Sequence, residues 1–489
     1  MNLPPSAAPP GGCPTHAQAP RRRGALVPRA AAGIAAAALT ALFVLQGIGR
    51  LDLWDPDEAN YAETAREMIL SGDWVVPHSN YRPYLEKPPL VFWAAALTMR
   101  LAGPSEAAAR LPAALSGLLL LVAVAWWAHG ALPPGGALAS VLTLGTSVGF
   151  LATARLGILD LPLTACVTVS ILGFERRVLA GGGRRGWFCF YAGMAAGCLA
   201  KGALGLALPL AAAAIATAVL RPTDLWRRLD STAGVALFLL ITVPSYAAME
   251  AQAPGFLRVF FLQHHLLRFI GEGIPHRSPF ARWAYVPLVA AAGLPWCFAW
   301  PRALADAWRK ARAHDPLATL LLGATLFPLA FFTLSATRLP QYALPALPPL
   351  CLLVARQLAE HGARPARLFL IALAGGALFT GLEIRVAAPI NAGRSLRPLA
   401  QEGARRAGPG EPLLSYRLGK PYASVFYSAR RVRFVEEQVT FDQFVASPRP
   451  FWILIDEGER AALERRHQRP FPAVAASAGR CLITNRPPP

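Results

Sequence analysis

Runs of roughly 20 apolar residues, long enough to cross about 30 Å of hydrocarbon, recur from Ala30 almost to Ala387. Only 16% of the residues are charged, whereas soluble domains carry roughly 25%. Because a backbone in lipid must satisfy its own polar groups, runs at this density predict helices. Residues 30–388 are therefore predicted to form an all-α polytopic membrane domain of about eleven to thirteen spans. We place eleven of them, with centres near residues 40, 115, 145, 168, 193, 211, 240, 291, 325, 348 and 377.

The basic residues are dispersed into the connections between these runs. The formal net charge is +20, but short arginine clusters in alternate connections suit the positive-inside rule better than nucleic-acid binding, which we do not expect. Four clusters mark the cytoplasmic side, at residues 176–185, 221–228, 302–312 and 356–367. The rule leaves residues 50–104 and 250–282 on the opposite side, and it places the amino terminus in the cytoplasm.

Both ends of the chain differ in composition from the membrane domain. Residues 1–29 are rich in Pro, Ala and Arg and are predicted to be a disordered cytoplasmic tail. Residues 390–489 have strand-like runs at 412–416, 424–427 and 451–455 and a helical stretch at 459–467. This alternation predicts a small α/β domain, and an odd number of spans places it outside the cytoplasm.

The first external loop opens with the acidic sequence Asp55-Pro56-Asp57-Glu58. The following apolar residues have helical spacing up to Ser71-Gly72, which predicts a short amphipathic helix lying in the membrane interface. A capping box explains Asp55 as N-cap and Glu58 at the third helical position, but it leaves Asp57 unexplained. A carboxylate beside the positive end of a helix stays ionised and can act as a general base.

A second charged motif of the same loop is Glu86-Lys87-Pro88-Pro89. The two prolines can begin a helix but exclude one before them, so Glu86 and Lys87 are expected just ahead of a second interfacial helix. The alternative to a functional role is a surface ion pair of little energetic value.

Several further motifs follow the same order as those of one enzyme family. In residues 51–118 they are Trp54-Asp55-Pro56-Asp57-Glu58, Tyr61-Ala62-Glu63, Gly72-Asp73-Trp74, Glu86-Lys87-Pro88-Pro89 and Ala109-Arg110-Leu111-Pro112. Later ones are Leu156-Gly157-Ile158-Leu159-Asp160, Ala200-Lys201-Gly202, the segment from Gln263 to Phe269, His276 and Arg338-Leu339-Pro340-Gln341-Tyr342. Together they resemble the GT-C glycosyltransferases of the protein-mannosyltransferase superfamily, with bacterial aminoarabinose (lipid A) transferase-like proteins as the nearest branch.

The resemblance implies an inverting transferase at the periplasmic face of the bacterial inner membrane. It would move a sugar from a polyprenyl-phosphate donor to an envelope acceptor, a lipid such as lipid A or a protein. Asp57 would be the base or electrostatic partner of the acceptor, with Glu58 beside it and Asp160 as a second acid. Three positions match groups that hold the lipid phosphate, and Arg338 can share that role. These positions are Lys87, Arg268 and Tyr342.

The predicted topology agrees with this chemistry. A polyprenyl-phosphate leaving group needs positive charge where its negative charge develops, and Lys87, Lys201, Arg268 and Arg338 all fall on the external side with both acids. Each residue also has a structural alternative. Lys201 can snorkel at a helix end, Asp160 can cap a helix, and Tyr342 can be an interfacial aromatic anchor.

Two departures from the family pattern concern phosphate and metal binding. Relatives usually have Arg where this chain has Asn60, so Arg66 or Arg338 would have to supply that contact. Glu86 and His264 match a metal-binding pair of the family, although the histidine spacing is not diagnostic of a metal site. We expect no obligatory cofactor, and a divalent metal to be optional.

Three other functions remain as alternatives. A transporter would have charges near mid-membrane and inverted repeats, but the charged motifs lie at span ends and no repeat is visible. A membrane-anchored binding protein would use its carboxyl-terminal domain, which shows no catalytic motif. Among enzymes, the alternative is a protein O-mannosyltransferase that acts on Ser and Thr.

Overall fold

The structure is a computed structural model and describes residues 26–271, 281, 283, 285–446 and 450–485. Predictions about residues 1–25 and His276 lie outside this part of the chain. The membrane domain is built from helices joined by short loops and helical turns. They are α1 (Leu26–Leu45), α2 (Asp57–Ser71), α3 (Leu90–Ala102), α4 (Glu106–Ala131), α5 (Gly136–Gly145), α6 (Val148–Ala154), α7 (Asp160–Phe174), α8 (Arg184–Lys201), α9 (Leu204–Leu220), α10 (Leu225–Leu229), α11 (Ser231–Gln252), α12 (Arg268–Ile270), α13 (Tyr285–Ala292), α14 (Trp300–Arg312), α15 (Pro316–Leu334), α16 (Leu347–Glu360), α17 (Pro365–Leu382) and α18 (Ala388–Ala392).

The predicted polytopic fold is confirmed, and each of the eleven predicted centres falls inside one of these helices. Within the described residues, five helical segments are long and apolar enough to cross a membrane, and two bent pairs raise this number to seven. The bent pairs are α5 with α6, at 63°, and α13 with residues 296–312, at 108°. Helices α3 and α9 are apolar but shorter. A total of eleven crossings therefore stays a prediction.

Helices α7 and α8 pack against each other in opposite directions with their backbones in contact. A Cβ atom on Gly173 would lie 2.6 Å from Phe190 N, and one on Gly193 would lie 2.9 Å from Cys166 O. Small residues permit such close approach of helices in a membrane, where apolar burial alone does not drive association. The pairing brings the first residue of α7, Asp160, to the last residue of α8, Lys201.

Helix α2 confirms one prediction about the loop of residues 50–104 and corrects another. It ends at Ser71 as predicted, with Gly72 at a φ of 70°. The capping box is wrong, because Pro56 precedes the helix, no side chain caps it, and Asp55 Oδ1 instead accepts the N–H of Ala423 at 2.9 Å. The interfacial position of α2 stays a prediction. Helix α3, a short hairpin and the carboxyl-terminal domain cover α2, so every residue from 58 to 68 is buried.

The hairpin consists of β1 (His78–Ser79) and β2 (Arg82–Pro83), which pair antiparallel. The remaining strands form one sheet in the carboxyl-terminal part, in the order β4-β3-β5-β7-β6. Strand β3 pairs parallel with β4 and β5, whereas β7 pairs antiparallel with β5 and β6. The elements of this domain are α19 (Arg397–Arg406), β3 (Leu413–Tyr416), α20 (Tyr422–Ser428), β4 (Val432–Val435), α21 (Gln438–Ala446), β5 (Trp452–Asp456), α22 (Glu457–His467), β6 (Ala473–Ser477) and β7 (Arg480–Thr484).

The strand predicted at residues 424–427 is a helix, α20. Its β-forming residues are divided between two cores. Ala423 and Phe426, three positions apart, pack with α2 and α3, and Val425 packs with the sheet. A helix directs these side chains to both cores at once. Tertiary packing therefore overrides the local β preference.

Polar contacts tie the α/β domain to the loop of residues 50–104. The Leu53 N–H donates to Tyr427 Oη at 2.8 Å. Asn80 Nδ2 donates to Val432 O at 2.7 Å, and Asn80 Oδ1 accepts the N–H of the same residue at 3.1 Å. The domain thus covers the loop that begins with the acidic motif.

Candidate active site

Five charged side chains and one tyrosine from separate segments meet beside the first turn of α2. We call this group the charged cluster, and its members are Asp57, Lys87, Asp160, Lys201, Arg268 and Tyr342. They share one space, because the charges of Asp57, Lys201 and Arg268 all act on the amine of Lys87. The structure therefore brings together residues that are up to 285 positions apart, counted from Asp57 to Tyr342.

The first acid of the cluster, Asp57, is the first residue of α2 and is exposed. Its carboxylate makes no hydrogen bond or ion pair with any residue in the described ranges. No side chain caps the amino end of α2, so this end of the helix dipole adds positive potential beside the carboxylate. The Asp57 carboxyl group is thus exposed and available to a ligand.

The neighbouring acid, Glu58, is held quite differently. Together with Arg110 it forms a buried ion pair, which we call the anchor, and both side chains are 2% exposed. Glu58 Oε1 accepts from Arg110 Nε at 2.7 Å and from the Gly157 N–H at 2.7 Å. Glu58 Oε2 accepts from Arg110 Nη2 at 3.0 Å and from the Trp54 N–H at 2.9 Å. Since a carboxylate offers about four lone-pair sites, the Glu58 carboxylate is saturated.

Arg110 is saturated as well. Besides its two bonds to Glu58, its Nη1 donates to Ile48 O at 2.9 Å and Leu51 O at 2.7 Å, and its Nη2 donates to Asp52 O at 3.2 Å. An arginine has five N–H donors, so none is left over. The anchor fastens the loop before α2 to α4, and this geometry suits Glu58 to positioning Asp57 rather than to reacting.

The second acid, Asp160, is paired with a lysine. Lys201 Nζ lies 2.5 Å from Asp160 Oδ1 and 4.8 Å from the centre of the Tyr342 ring. Arg268 Nη2 donates to Tyr342 Oη at 3.3 Å. A continuous chain of contacts therefore runs from Asp160 through Lys201 and Tyr342 to Arg268, so the tyrosine lies between two cations.

Lys87 completes the cationic side of the cluster. Its Nζ donates to Glu86 O at 3.1 Å. Burial, assisted by the positive charges of Arg268 and Lys201 and opposed by Glu86 and Asp57, lowers the pKa of Lys87 to about 8. An amine with few partners and a depressed pKa is suited to receiving an anionic group.

The residues named for metal binding lie near one another but do not form a complete set of ligands. His264 Nδ1 lies 3.8 Å from Glu86 Oε2. His265 is occupied, because its Nδ1 lies 2.7 Å from Phe260 O and its Nε2 accepts the Ala203 N–H at 3.3 Å. Among the described residues no group of three or more His, Cys, Asp or Glu side chains could hold a metal. Glu86 and His264 could supply two ligands to a metal ion. Whether the enzyme needs a metal stays a prediction.

The structure also bears on the missing arginine of the family pattern. The Asn60 side chain is buried and accepts from Ser79 Oγ. Arg66 is paired with Glu63, with Nη2 2.6 Å from Glu63 Oε1, and a phosphate role for it stays a prediction. Arg338 Nη1 donates to Ser335 O at 2.7 Å, and its phosphate role stays a prediction.

A chamber of about 550 Å³ opens beside Asp57. Its walls are mostly apolar, with Val148, Leu156 and Phe379 among the lining residues. The polar lining residues include an ion pair in which Arg155 Nη2 is 2.7 Å from Glu383 Oε1. The exposed carboxylate thus faces an apolar chamber on one side and the cations of the cluster on the other.

Some residues of the site were not predicted. Tyr84 Oη lies 3.5 Å from Glu86 Oε2, and its ring packs edge-on against Phe92. Tyr422 of the α/β domain is close enough for Glu86, Asp55 and Asp57 to raise its pKa further, beyond the main effect of burial. Nothing in the sequence near Tyr422 indicates a site, because its partners lie more than 300 positions away.

The chain is similar to proteins of known family and structure. The model of the family described as dolichyl-phosphate-mannose-protein mannosyltransferase matches residues 86–247. An undecaprenyl phosphate-alpha-4-amino-4-deoxy-L-arabinose arabinosyl transferase of Edwardsiella ictaluri is 34% identical over 327 residues, which are 65% of this chain and 58% of the relative. The chain therefore matches less than two thirds of the length of such curated relatives.

Solved structures show the same fold. ArnT from Cupriavidus metallidurans in the apo state superposes with a TM-score of 0.81 at 22% identity, over 94% of this chain and 98% of that one. The Archaeoglobus fulgidus oligosaccharyltransferase superposes with a TM-score of 0.60 at 13% identity, over 89% and 70%. The chain therefore has the GT-C fold, and its resemblance to the protein-mannosyltransferase superfamily, with aminoarabinose transferases as near relatives, is confirmed.

Proposed function

We propose that this chain is an inverting glycosyltransferase that moves a sugar from a polyprenyl-phosphate donor to an envelope acceptor. The observation that carries the proposal is the charged cluster, in which the Asp57 carboxylate, without a partner among the described residues, lies near several cations. The names of its relatives support the same donor class, because they include an undecaprenyl phosphate-dependent arabinosyl transferase and an ArnT bound to undecaprenyl phosphate.

The donor phosphate would lie against the cations of the cluster. Lys87 and Arg268 are the primary ligands, since each has donors to offer in addition to its protein contacts. Tyr342 keeps Arg268 in place, and Lys201 adds positive charge from the far side of the tyrosine ring. When the bond between the sugar carbon and the phosphate oxygen breaks, negative charge develops on the phosphate, and these groups stabilise it.

The acceptor would approach from the side of Asp57. In a hydroxyl acceptor, Asp57 takes the proton as the oxygen attacks the anomeric carbon, while the polyprenyl phosphate leaves from the opposite face. A positioned base of this kind typically contributes about 10²- to 10⁴-fold to a rate. Attack from one face with departure from the other inverts the anomeric centre. The anchor serves this step because it fixes the turn that carries Asp57.

The chamber beside Asp57 supports a lipid acceptor. Its apolar lining suits acyl chains, and its position lets a polar head reach the carboxylate. Lipid A is the acceptor class that the resemblance suggests. The alternative that the experiment below separates is a protein acceptor, which the matched family description names, with a Ser or Thr side chain as the attacking group.

The experiment supplies radiolabelled polyprenyl-phosphate sugar to membranes that contain the full chain, and it separates labelled lipid from labelled protein. We expect label in lipid and a loss of about 10²- to 10⁴-fold in Asp57→Asn. The matched control is Asp230→Asn, which removes an exposed carboxylate at the start of α11. Undiminished transfer in Asp57→Asn would remove this residue from the mechanism, and label in protein alone would favour the mannosyltransferase alternative.

The proposed orientation has the chemistry at the periplasmic face. The positive-inside distribution supports it, because the charged cluster lies at the ends of α7 and α8 opposite to the arginines of residues 176–185. Reporter fusions to the carboxyl terminus that are active only in the periplasm test this topology, and activity of a cytoplasm-specific reporter there would reverse it.

A further inference from the structure

A second cavity lies at the opposite end of the α7–α8 pair. It has a volume of about 660 Å³ and runs between the second half of α4 and the facing ends of α7 and α8. We call it the basic groove, because three arginines lie at its mouth. Its lining includes Ala123, Trp126, Val169, Arg176, Arg184 and Arg185. With roughly 1.5 Å of rise per residue along α8, it is about one membrane thickness away from Lys201.

The charge at the mouth of the groove is largely uncompensated. Arg184 and Arg185 are exposed and form no ion pair with any acid in the described part of the chain. Arg176 has one acidic neighbour, with its Nε 3.8 Å from Glu175 Oε2. That oxygen is already an acceptor for Trp127 Nε1 at 2.7 Å. The groove therefore has an excess of positive charge.

The rest of the groove is apolar and opens toward the lipid. Ala123 and Val169 line its wall. The adjoining outer face of α4 exposes large apolar side chains, with Leu119 68% and Trp126 60% exposed. In a polytopic membrane protein such a face contacts acyl chains, and a tryptophan near the helix end is typical of the interface. A charged mouth and an apolar interior are therefore continuous.

The glycine-rich connection before α8 keeps the mouth open. A Cβ on Gly182 would lie 2.6 Å from Arg176 O. Only glycine therefore lets the connection pack against the helical turn that follows α7. A Cβ on Gly183 would meet nothing within 4 Å. The space beside Arg184 is therefore unfilled by the protein.

We infer that the basic groove binds an anionic phospholipid of the membrane leaflet opposite to the candidate active site. The phosphodiester would lie between Arg176, Arg184 and Arg185, and one acyl chain would follow the wall formed by Ala123 and Val169. Basic pockets between membrane helices recognise anionic head groups in this way. A free anion would use the arginines but not the apolar wall. This site is separate from the charged cluster and independent of the proposed transferase activity.

The test is native mass spectrometry of the full chain purified in detergent, with phosphatidylglycerol and phosphatidylcholine added in equal amounts. We expect the wild type to retain phosphatidylglycerol preferentially. Because each arginine near an anionic surface contributes about fivefold to binding, the double variant Arg184→Gln/Arg185→Gln should reduce this retention roughly tenfold or more. Thermal unfolding should be unchanged, since both side chains are exposed.

Two further variants distinguish the groove from a general charge effect. The matched control Arg364→Gln/Arg367→Gln removes two exposed arginines from the start of α17, at the same end of the molecule but outside the groove, and should keep the preference. Ala123→Phe would fill the apolar wall without changing charge, and it should lower retention. The inference is overturned if Arg184→Gln/Arg185→Gln retains lipid like the wild type, if the control loses as much, or if Ala123→Phe has no effect.

Discussion

The anchor and the charged cluster begin at adjacent residues, Glu58 and Asp57, yet their carboxylates differ in how many protein partners they have. In the anchor, the carboxylate and all five donors of Arg110 are used within the protein. In the cluster, Asp57 has no partner among the described residues. Two neighbouring residues of one acidic motif thus have different roles. Glu58 stabilises the structure, and Asp57 is available for chemistry. A saturated ion pair fixes the turn so that the unsaturated carboxylate has a defined position.

The largest effect is expected when the anchor is broken. Arg110→Met leaves the buried Glu58 carboxylate without its cation, and removal of one partner of a buried ion pair typically costs about 3–5 kcal/mol. The midpoint of unfolding in detergent should fall accordingly. The control is Arg100→Met, which removes an exposed arginine at the end of α3 and should change stability by less than about 0.5 kcal/mol. Equal stability of the two variants would contradict the structural role of the anchor.

In the cluster, the sharpest prediction concerns Lys87 and pH. A lysine is charged below its pKa, and burial lowers the pKa of Lys87 to about 8. Donor binding needs the charged form, so kcat/KM should be constant below this value and fall about tenfold per pH unit above it. For a lysine with the ordinary pKa of 10.5, kcat/KM would fall only above about pH 10.5. The pH profile of initial rates with limiting donor measures the difference.

The variant Lys87→Arg provides the control for this profile. Arginine stays protonated throughout the range, so the alkaline fall should move to higher pH even if the rate at neutral pH decreases. A fall near pH 8 that persists in Lys87→Arg would assign the titration to another group.

A smaller effect is expected for Tyr342→Phe. The substitution removes the hydroxyl that accepts from Arg268 at 3.3 Å but keeps the ring under Lys201. One hydrogen bond contributes about 0.5–1.5 kcal/mol, so KM for the donor should rise roughly three- to tenfold with little change in kcat. A change in kcat without a change in KM would show that the hydroxyl acts on the reacting atoms rather than on Arg268.

The smallest effect is expected from chelation. Glu86 Oε2 and His264 Nδ1, the predicted metal pair, lie 3.8 Å apart, and the described part of the chain adds no third ligand to them. We therefore expect transfer rates to be the same with and without EDTA. A loss of activity that is restored by added Zn²⁺ or Mg²⁺ would establish a metal requirement.

Sequence reasoning succeeded where the signal is local. The stop of α2 at Gly72, the start of α3 after two prolines and the positions of the apolar runs depend on residues a few positions apart. It failed where partners are distant. The local sequence predicts a capping role for Glu58, whereas its actual partner, Arg110, lies 52 positions away. Residues 424–427 were predicted as a strand because their burial on two opposite surfaces depends on the tertiary fold.

The hydrogen bond between Asp55 and the Ala423 N–H joins residues 368 positions apart. The acidic motif leaves the ribosome early, whereas the segment that covers it is made near the end of synthesis. A nascent chain therefore carries Asp57 on the membrane surface long before its surroundings are complete. Assembly of the enclosed site becomes a late event of biogenesis, and chains that terminate before residue 420 would be inserted into the membrane without the wall that the α/β domain supplies.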